Sequence, residues 1–259
     1  MGGIGRIALA AALVTTASSI ALGADGLSTL SIGADYSSGN YGLSDSTRVL
    51  YVPVTAKHET GRWIFKLVVP YISITGPSNV VGAAENQIVL PNGSFARRTE
   101  SDLGDVVASA FYNALNGRDT PLGLDLGAKI KFGTADDSRG LGTGKNDFSL
   151  QADFFKPIDA FTPFGTLGYR RYGDPAGVDL LNVVYGTIGS SYRMSEPTTV
   201  GFAYDWRDRI VEGGGRVSEL TAYVSRRLSG AWKLQIYAVK GFANGSPDFG
   251  AGSSLGYSF

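Results

Sequence analysis

The chain has 259 residues, with 23 Lys and Arg against 23 Asp and Glu, a single His and no Cys. Balanced charge implies no nucleic-acid partner, and the lack of cysteine removes disulfide frameworks and cysteine zinc sites. A mean hydropathy of +0.02, with no run of ~18–20 apolar residues beyond the leader, excludes a helical membrane protein. Abundant Gly, Tyr and Phe suit a β-rich chain, either a barrel or a soluble sandwich, and patterning must choose between them.

The N-terminus reads as a signal peptide, residues 1–23. Arg6 supplies the positive region, Ile7 to Val14 the apolar core, and Ala21-Leu22-Gly23 a small-x-small site with cleavage before Ala24. The remaining domain is then 24–259.

From Leu27 onward the chain divides into about twelve strand-length segments with period-two alternation. They lie near 27–36, 46–57, 62–74, 104–115, 121–133, 146–156, 161–172, 179–194, 198–208, 216–228, 231–242 and 249–259. Trp63, Phe65, Leu67, Val69 and Tyr71 share one face, with Lys66 on the other. Leu122, Leu124, Leu126, Ala128, Ile130 and Phe132 alternate with Gly123, Asp125, Gly127, Lys129 and Lys131. The same alternation recurs at Phe148–Phe154, Val200–Trp206, Leu220–Val224 and Trp232–Ala238.

The connections decide the class. Odd-numbered ones are mostly long, including Ser37–Asp45, Thr75–Leu103 and Thr134–Lys145. Even-numbered ones are mostly short, including His58–Gly61, Pro157–Ala160, Ser195–Pro197 and Ser229-Gly230. Long outer loops alternating with short periplasmic turns are the habit of a transmembrane antiparallel β-barrel, and a sandwich has no reason for it. Both termini are then periplasmic and Thr75–Leu103 is outside. The last strand places Phe249, Ala251, Ser253, Leu255, Tyr257 and Phe259 on one face and ends on an aromatic. Tyr257 and Phe259 resemble the C-terminal signal read by the barrel-assembly machinery.

In a barrel the polar parity faces the lumen. That parity carries Asp35, Lys66, Asp125, Lys129, Lys131, Asp153, Arg170, Asp205, Arg207, Glu219 and Arg227, the candidates for a solute path. Neither sign is in excess, so no ion selectivity is implied, and most of these charges are expected to pair across the lumen. Gly142-Thr143-Gly144-Lys145 lacks the outer Gly and the following Ser or Thr of a phosphate loop, since Arg139 and Asn146 stand there. His58 is the sole histidine and falls at a periplasmic turn, the wrong side for chemistry on outer-leaflet lipid. Asp136, Asp137 and Asp174 lack the spacing of a calcium loop. No metal and no cofactor is expected.

The stretch Lys131 to Leu150 (KFGTADDSRGLGTGKNDFSL), Phe161 to Arg170 (FTPFGTLGYR), Gly173-Asp174-Pro175 and the ending Gly245 to Phe259 (GSPDFGAGSSLGYSF) resemble the outer-membrane transporter-like family named for the MetA pathway of phenol degradation. The resemblance spans roughly residues 103 to 259. It implies passage of small hydrophobic or aromatic molecules across the outer membrane of a Gram-negative-type bacterium, and it brings no catalytic residues. The expected partners are outer-membrane lipid, the barrel-assembly machinery and a small-molecule solute. A barrel of about twelve strands should have a narrow lumen, between filled eight-stranded barrels and open porins. The alternatives are a structural or adhesive barrel using Thr75–Leu103, with Arg97 and Arg98, or a lipid-modifying enzyme.

Overall fold

A computed structural model describes residues 26–82, 87–90 and 96–259. The signal-peptide assignment lies outside the described residues. The elements are β1 (Leu27–Gly39), β2 (Thr47–Thr60), β3 (Trp63–Pro77), β4 (Val80–Val81), β5 (Ile88–Val89), β6 (Arg97–Leu103), β7 (Val107–Asn116) and β8 (Gly123–Lys131). They continue with β9 (Asp147–Phe155), β10 (Phe161–Arg171), β11 (Val183–Arg193), β12 (Thr198–Arg207), β13 (Val217–Arg227), β14 (Trp232–Gly241) and β15 (Phe249–Ser258).

Each neighbouring pair is antiparallel, and β1 pairs with both β2 and β15, so the sheet closes on itself. Because β6 and β7 both pair with β3, they form one interrupted stave, and the barrel has 12 staves. Closure removes every sheet edge that would otherwise expose backbone polar groups to lipid. The last link is reciprocal: Ser28 N donates to Phe259 O at 2.9 Å, and Phe259 N to Ser28 O at 2.8 Å. The start of β1 and the end of β15 therefore sit at the end that carries the short turns.

Side-chain alternation divides inside from outside. Leu150, Ile188, Ile236 and Leu126 are exposed on the outer surface, while Gln151, Thr187, Gln235 and Asp125, one residue away along each strand, are buried. Aromatic rings border this apolar band. Trp63 packs on Tyr112 at 5.0 Å, Trp232 on Tyr257 at 4.9 Å, and Tyr257 on Phe259 at 6.0 Å, all at the short-turn end. Tyr36 and Phe249 meet at 6.2 Å at the opposite end. Rings with an apolar body and a polar edge favour such interfaces.

Two features of the Thr75–Leu103 connection correct the sequence reading. The fourth stave begins at Arg97 rather than near 104, because the polar run Arg97–Leu103 carries no apolar alternation yet pairs with β3. Between β3 and β6, Val80–Val81 and Ile88–Val89 pair as a short hairpin whose Val80 and Ile88 are almost fully buried. The stave breaks at Gly104, whose N donates to Pro70 O at 2.8 Å. A Cβ there would lie 2.4 Å from Ile72 Cδ1, so any larger residue would have to displace the buried Ile72 side chain.

Candidate functional site

The register arranges the inward side chains in rows that wind across the wall. Asp125, Asp153, Thr166, Thr187, Asp205 and Glu219 are successive cross-strand partners from β8 to β13. All six are buried. Thr166 Oγ1 donates to Asp153 Oδ1 at 2.6 Å, and Thr187 Oγ1 to Asp205 Oδ1 at 2.7 Å. Gln151 Nε2 donates to both Asp153 oxygens at 2.7 Å, and Asn113 Nδ2 to Asp125 Oδ1 at 2.6 Å.

Four residues further toward the outer end runs a second row: Lys57, Lys66, Ser109, Lys129, Ser149, Arg170 and Val183. The mixed signs seen in sequence are thus segregated, carboxylates in one row and cations in the next but one. Between them, Gln151 accepts from Tyr185 Oη at 3.2 Å. The Lys66 and Lys129 ammonium groups lie 5.1 and 5.9 Å from the Phe111 ring centroid. Arg170 Nε donates to Ser149 Oγ at 3.0 Å, and its guanidinium lies over Tyr185 and Tyr172. Such contacts attract the cations to the ring faces on the wall.

Glycines give these rings their place. Phe111 faces Gly127 across the ladder, Phe155 faces Gly123, Phe164 faces Gly189, Tyr185 faces Gly168, Tyr223 faces Gly201 and Tyr237 faces Gly252. At each of these glycines a Cβ would fall within 2.8 Å of the facing ring. The rings therefore lie flat across the neighbouring strand instead of crossing the lumen.

The outer connections pack against one another and against the wall. Val81, Ile88, Tyr172, Leu180, Val183, Ile210 and Val211 form one buried apolar cluster there. The connection after β8 folds inward, and its Leu141 packs with Val49, Tyr51, Ile72 and Ile74. Lys131 anchors it: Nζ is 2.7 Å from Asp105 Oδ2, 3.2 Å from Asp147 Oδ2 and 3.1 Å from Lys145 O. Arg139 clasps β6 through Glu100, Asp102 and the Ser101 carbonyl at 2.8, 2.8 and 3.0 Å. The Glu100 carboxylate holds the Arg139 guanidinium above its ordinary pKa, and the Ser138 hydroxyl holds Asp136 below the usual carboxylate range. A chamber of about 50 Å³ remains beneath Leu141, bordered by Tyr51, Pro70, Lys129 and Arg170.

Residues 32–259 match the family described as "Putative MetA-pathway of phenol degradation". The chain belongs to that family. The match reaches well before residue 103, so the phenol-degradation family pattern includes β1 to β3 as well as the segments that carry the resemblance in sequence. No curated protein matches the chain. Among solved structures, the COG4313 outer membrane channel from Pseudomonas putida F1 is similar at 13% identity and a TM-score of 0.68, over 92% of this chain and 97% of that one. The NanC porin is similar at 10% identity and a TM-score of 0.54, over 89% and 98%. The translocator domain of the autotransporter NalP from Neisseria meningitidis is similar at 11% and 0.51, over 98% and 96%. These likenesses concern the fold.

In this family member the sequence-selected charges fall into separate groups. Lys66, Asp125, Lys129 and Asp153 meet around Phe111, and Asp205, Arg207 and Glu219 lie together on β12 and β13. Arg170 borders the outer chamber, and Lys131 serves as the anchor of a connection. Arg227 is apart from these, exposed at the short-turn end and in register with Lys233. Asp35 sits on β1 opposite Gly252. Tyr257 and Phe259 lie on the outer surface at the short-turn end, stacked on each other.

Choosing only charges missed the six inward rings, and Asp105 and Asp147 at the anchor. The rings stood on the lumen parity, where an aromatic facing glycine is the available signal. His58 is at the short-turn end, bonded through Nδ1 to Ser28 Oγ at 3.0 Å. Among the described residues no carboxylate orients its ring, as an acyl-transfer triad requires. Asp136 and Asp174 brace turns by accepting from Arg139 N and Leu180 N.

Proposed function

We propose that the protein is an outer-membrane channel for small, partly apolar molecules of a Gram-negative-type bacterium, and that solute crosses passively between the acidic and basic rows. The observation that carries this reading is the lumen itself, lined by buried charges in separate rows and by six rings laid flat on glycines. A barrel needed only as an anchor gains nothing from buried carboxylates, whose burial is costly unless each is bonded. Separate rows of opposite sign orient a solute with a polar end, and flat rings give its apolar body a surface. Family membership and the channel and porin likenesses of the fold support the same reading.

The chamber beneath Leu141 is too small for a ring. A cavity that admits benzene measures about 150 Å³, and the outer chamber has about 50 Å³. Passage of a ring by way of this chamber therefore needs the Leu141 connection to withdraw from it. Lys66, Asp125, Lys129, Asp153, Arg170, Asp205, Arg207 and Glu219 then border the path. Lys131 controls the connection above it, and Arg227 stands at the periplasmic exit.

Liposome swelling with the refolded barrel tests this. Small solutes such as glycine amide and tyramine should enter protein-containing vesicles faster than a trisaccharide, which should remain excluded. Swelling no faster than in protein-free vesicles for every solute would remove the channel reading.

A further inference from the structure

A cavity of about 320 Å³ lies outside the lumen rows, among the outer connections. Tyr41 and Leu43 from the β1–β2 connection, Ile88 from the hairpin, and Ile210 and Val211 from the β12–β13 connection give it an apolar wall, and Gln87, Asn244 and the exposed Glu212 give it a polar rim. Arg207, the last residue of β12, also lines it and is only 5% exposed. The connections are tied to one another before any ligand arrives. Gly245 N donates to Arg216 O at 2.9 Å, joining the β14–β15 and β12–β13 connections, and Leu181 N donates to Ile210 O at 2.7 Å. Tyr41 has φ of 51°, a left-handed conformation unusual for a residue other than glycine, and it is 5% exposed. Backbone departures of this kind persist where the surroundings hold them and collect at binding sites.

We propose that this cavity is a first binding site for small organic carboxylates with an apolar body, in which Arg207 takes the carboxylate and the aliphatic walls take the body. The proposal rests on the channel reading, for which the cavity is the outermost stage. Its volume falls at the small end of ligand pockets, about 300–1,000 Å³, which suits a one- or two-ring acid. Arg presents five donors in a planar fork that matches a carboxylate. Its head group can therefore serve an incoming anion as well as a neighbouring acid. A guanidinium this deeply buried is worth far more to an anion than one in water. A neutral molecule of the same shape gains only the apolar contacts. The site therefore discriminates by charge where the rest of its lining discriminates by size.

The test uses the refolded full-length barrel in detergent micelles, with 2-naphthoate and the neutral 2-naphthalenemethanol as probes and an unrelated barrel as the blank. Calorimetry should show naphthoate binding at least tenfold more tightly than the alcohol. Arg207→Met should bring the two to similar affinity. Val211→Trp, which fills the cavity from the connection side and leaves the lumen charges intact, should abolish binding of both while heat-modifiable gel migration stays that of a folded barrel. If Arg207→Met does not fold, the Val211→Trp comparison alone decides. Naphthoate binding no tighter than the alcohol, or binding that survives Val211→Trp, overturns the proposal. Vesicle flux of the same probes separates the two readings. Flux without naphthoate binding leaves the channel standing and removes the site, and binding without flux does the reverse.

Discussion

Replacing Lys131 by Met keeps the length of the side chain and deletes the charge that holds the outer connection down. In the folded protein the ammonium lies between Asp105 Oδ2 at 2.7 Å and Asp147 Oδ2 at 3.2 Å, and Asp147 is 3% exposed. Breaking a buried ion pair by removing one partner costs about 3–5 kcal/mol, because the remaining charge stays desolvated. Arg170 is close enough to Asp147 to offset part of this, so the lower end, ~3 kcal/mol, is expected. The cost falls on the closed arrangement, since lifting the connection returns both carboxylates to water. At ~1.4 kcal/mol per factor of ten, the ratio of open to closed should rise roughly 100-fold. Two readouts report it. Conductance in planar bilayers should increase, and trypsin, which cleaves after Arg139 and Lys145, should cut the connection in Lys131→Met and spare it in the parent. The ladder does not depend on this side chain, so gel migration should remain that of a folded barrel. A folded variant with unchanged conductance and unchanged trypsin resistance would refute the anchoring role.

Other outcomes follow from the same geometry. Leu126→Arg places a charge on the lipid surface at a cost of ~2–4 kcal/mol at mid-membrane and should impair folding in urea titrations, whereas Lys129→Ala should leave a folded barrel; the reverse result would turn the strand over. Gly127→Val puts a Cβ 2.4 Å from the Phe111 ring and should lower stability by ~1–3 kcal/mol through overpacking; equal urea midpoints would show that the ring is not held there. Deleting Phe259 removes a terminal ring and the backbone bonds to Ser28, and should reduce the amount inserted in cells more than the stability of what is inserted. An epitope at Gly213, which has open space around it, should be stained on intact cells, and one at Gly230 only after permeabilisation.

Much of the fold is legible because a barrel wall separates two chemistries residue by residue. Leu122–Phe132 shows this in sequence, and β8 forms there with Leu126 out and Lys129 in. β6 is not legible, since Arg97–Leu103 is polar on both parities and reads as loop. Its strand character comes from β3, whose register partners lie between Pro77, paired with Arg97, and Tyr71, paired with Leu103. The Val80–Val89 hairpin has only two residues in each strand, too few for any period. The site was partly legible. Parity identifies Asp125, Asp153, Asp205 and Glu219 as inward, but only the register between strands puts them in one row. The same holds for the Gly–aromatic pairs and for Lys131, whose partner Asp105 lies 26 residues away. Local pattern carries facing, and non-local register carries neighbours.

The central claim, passive passage of small molecules, is most directly tested by solute flux across the outer membrane of cells whose own porins have been removed. Radiolabelled tyramine uptake should rise when the protein is expressed, should not saturate at low millimolar concentration, and should rise further with Lys131→Met. Uptake equal to that of cells carrying an empty vector, with the barrel present and folded in the outer membrane, would contradict it.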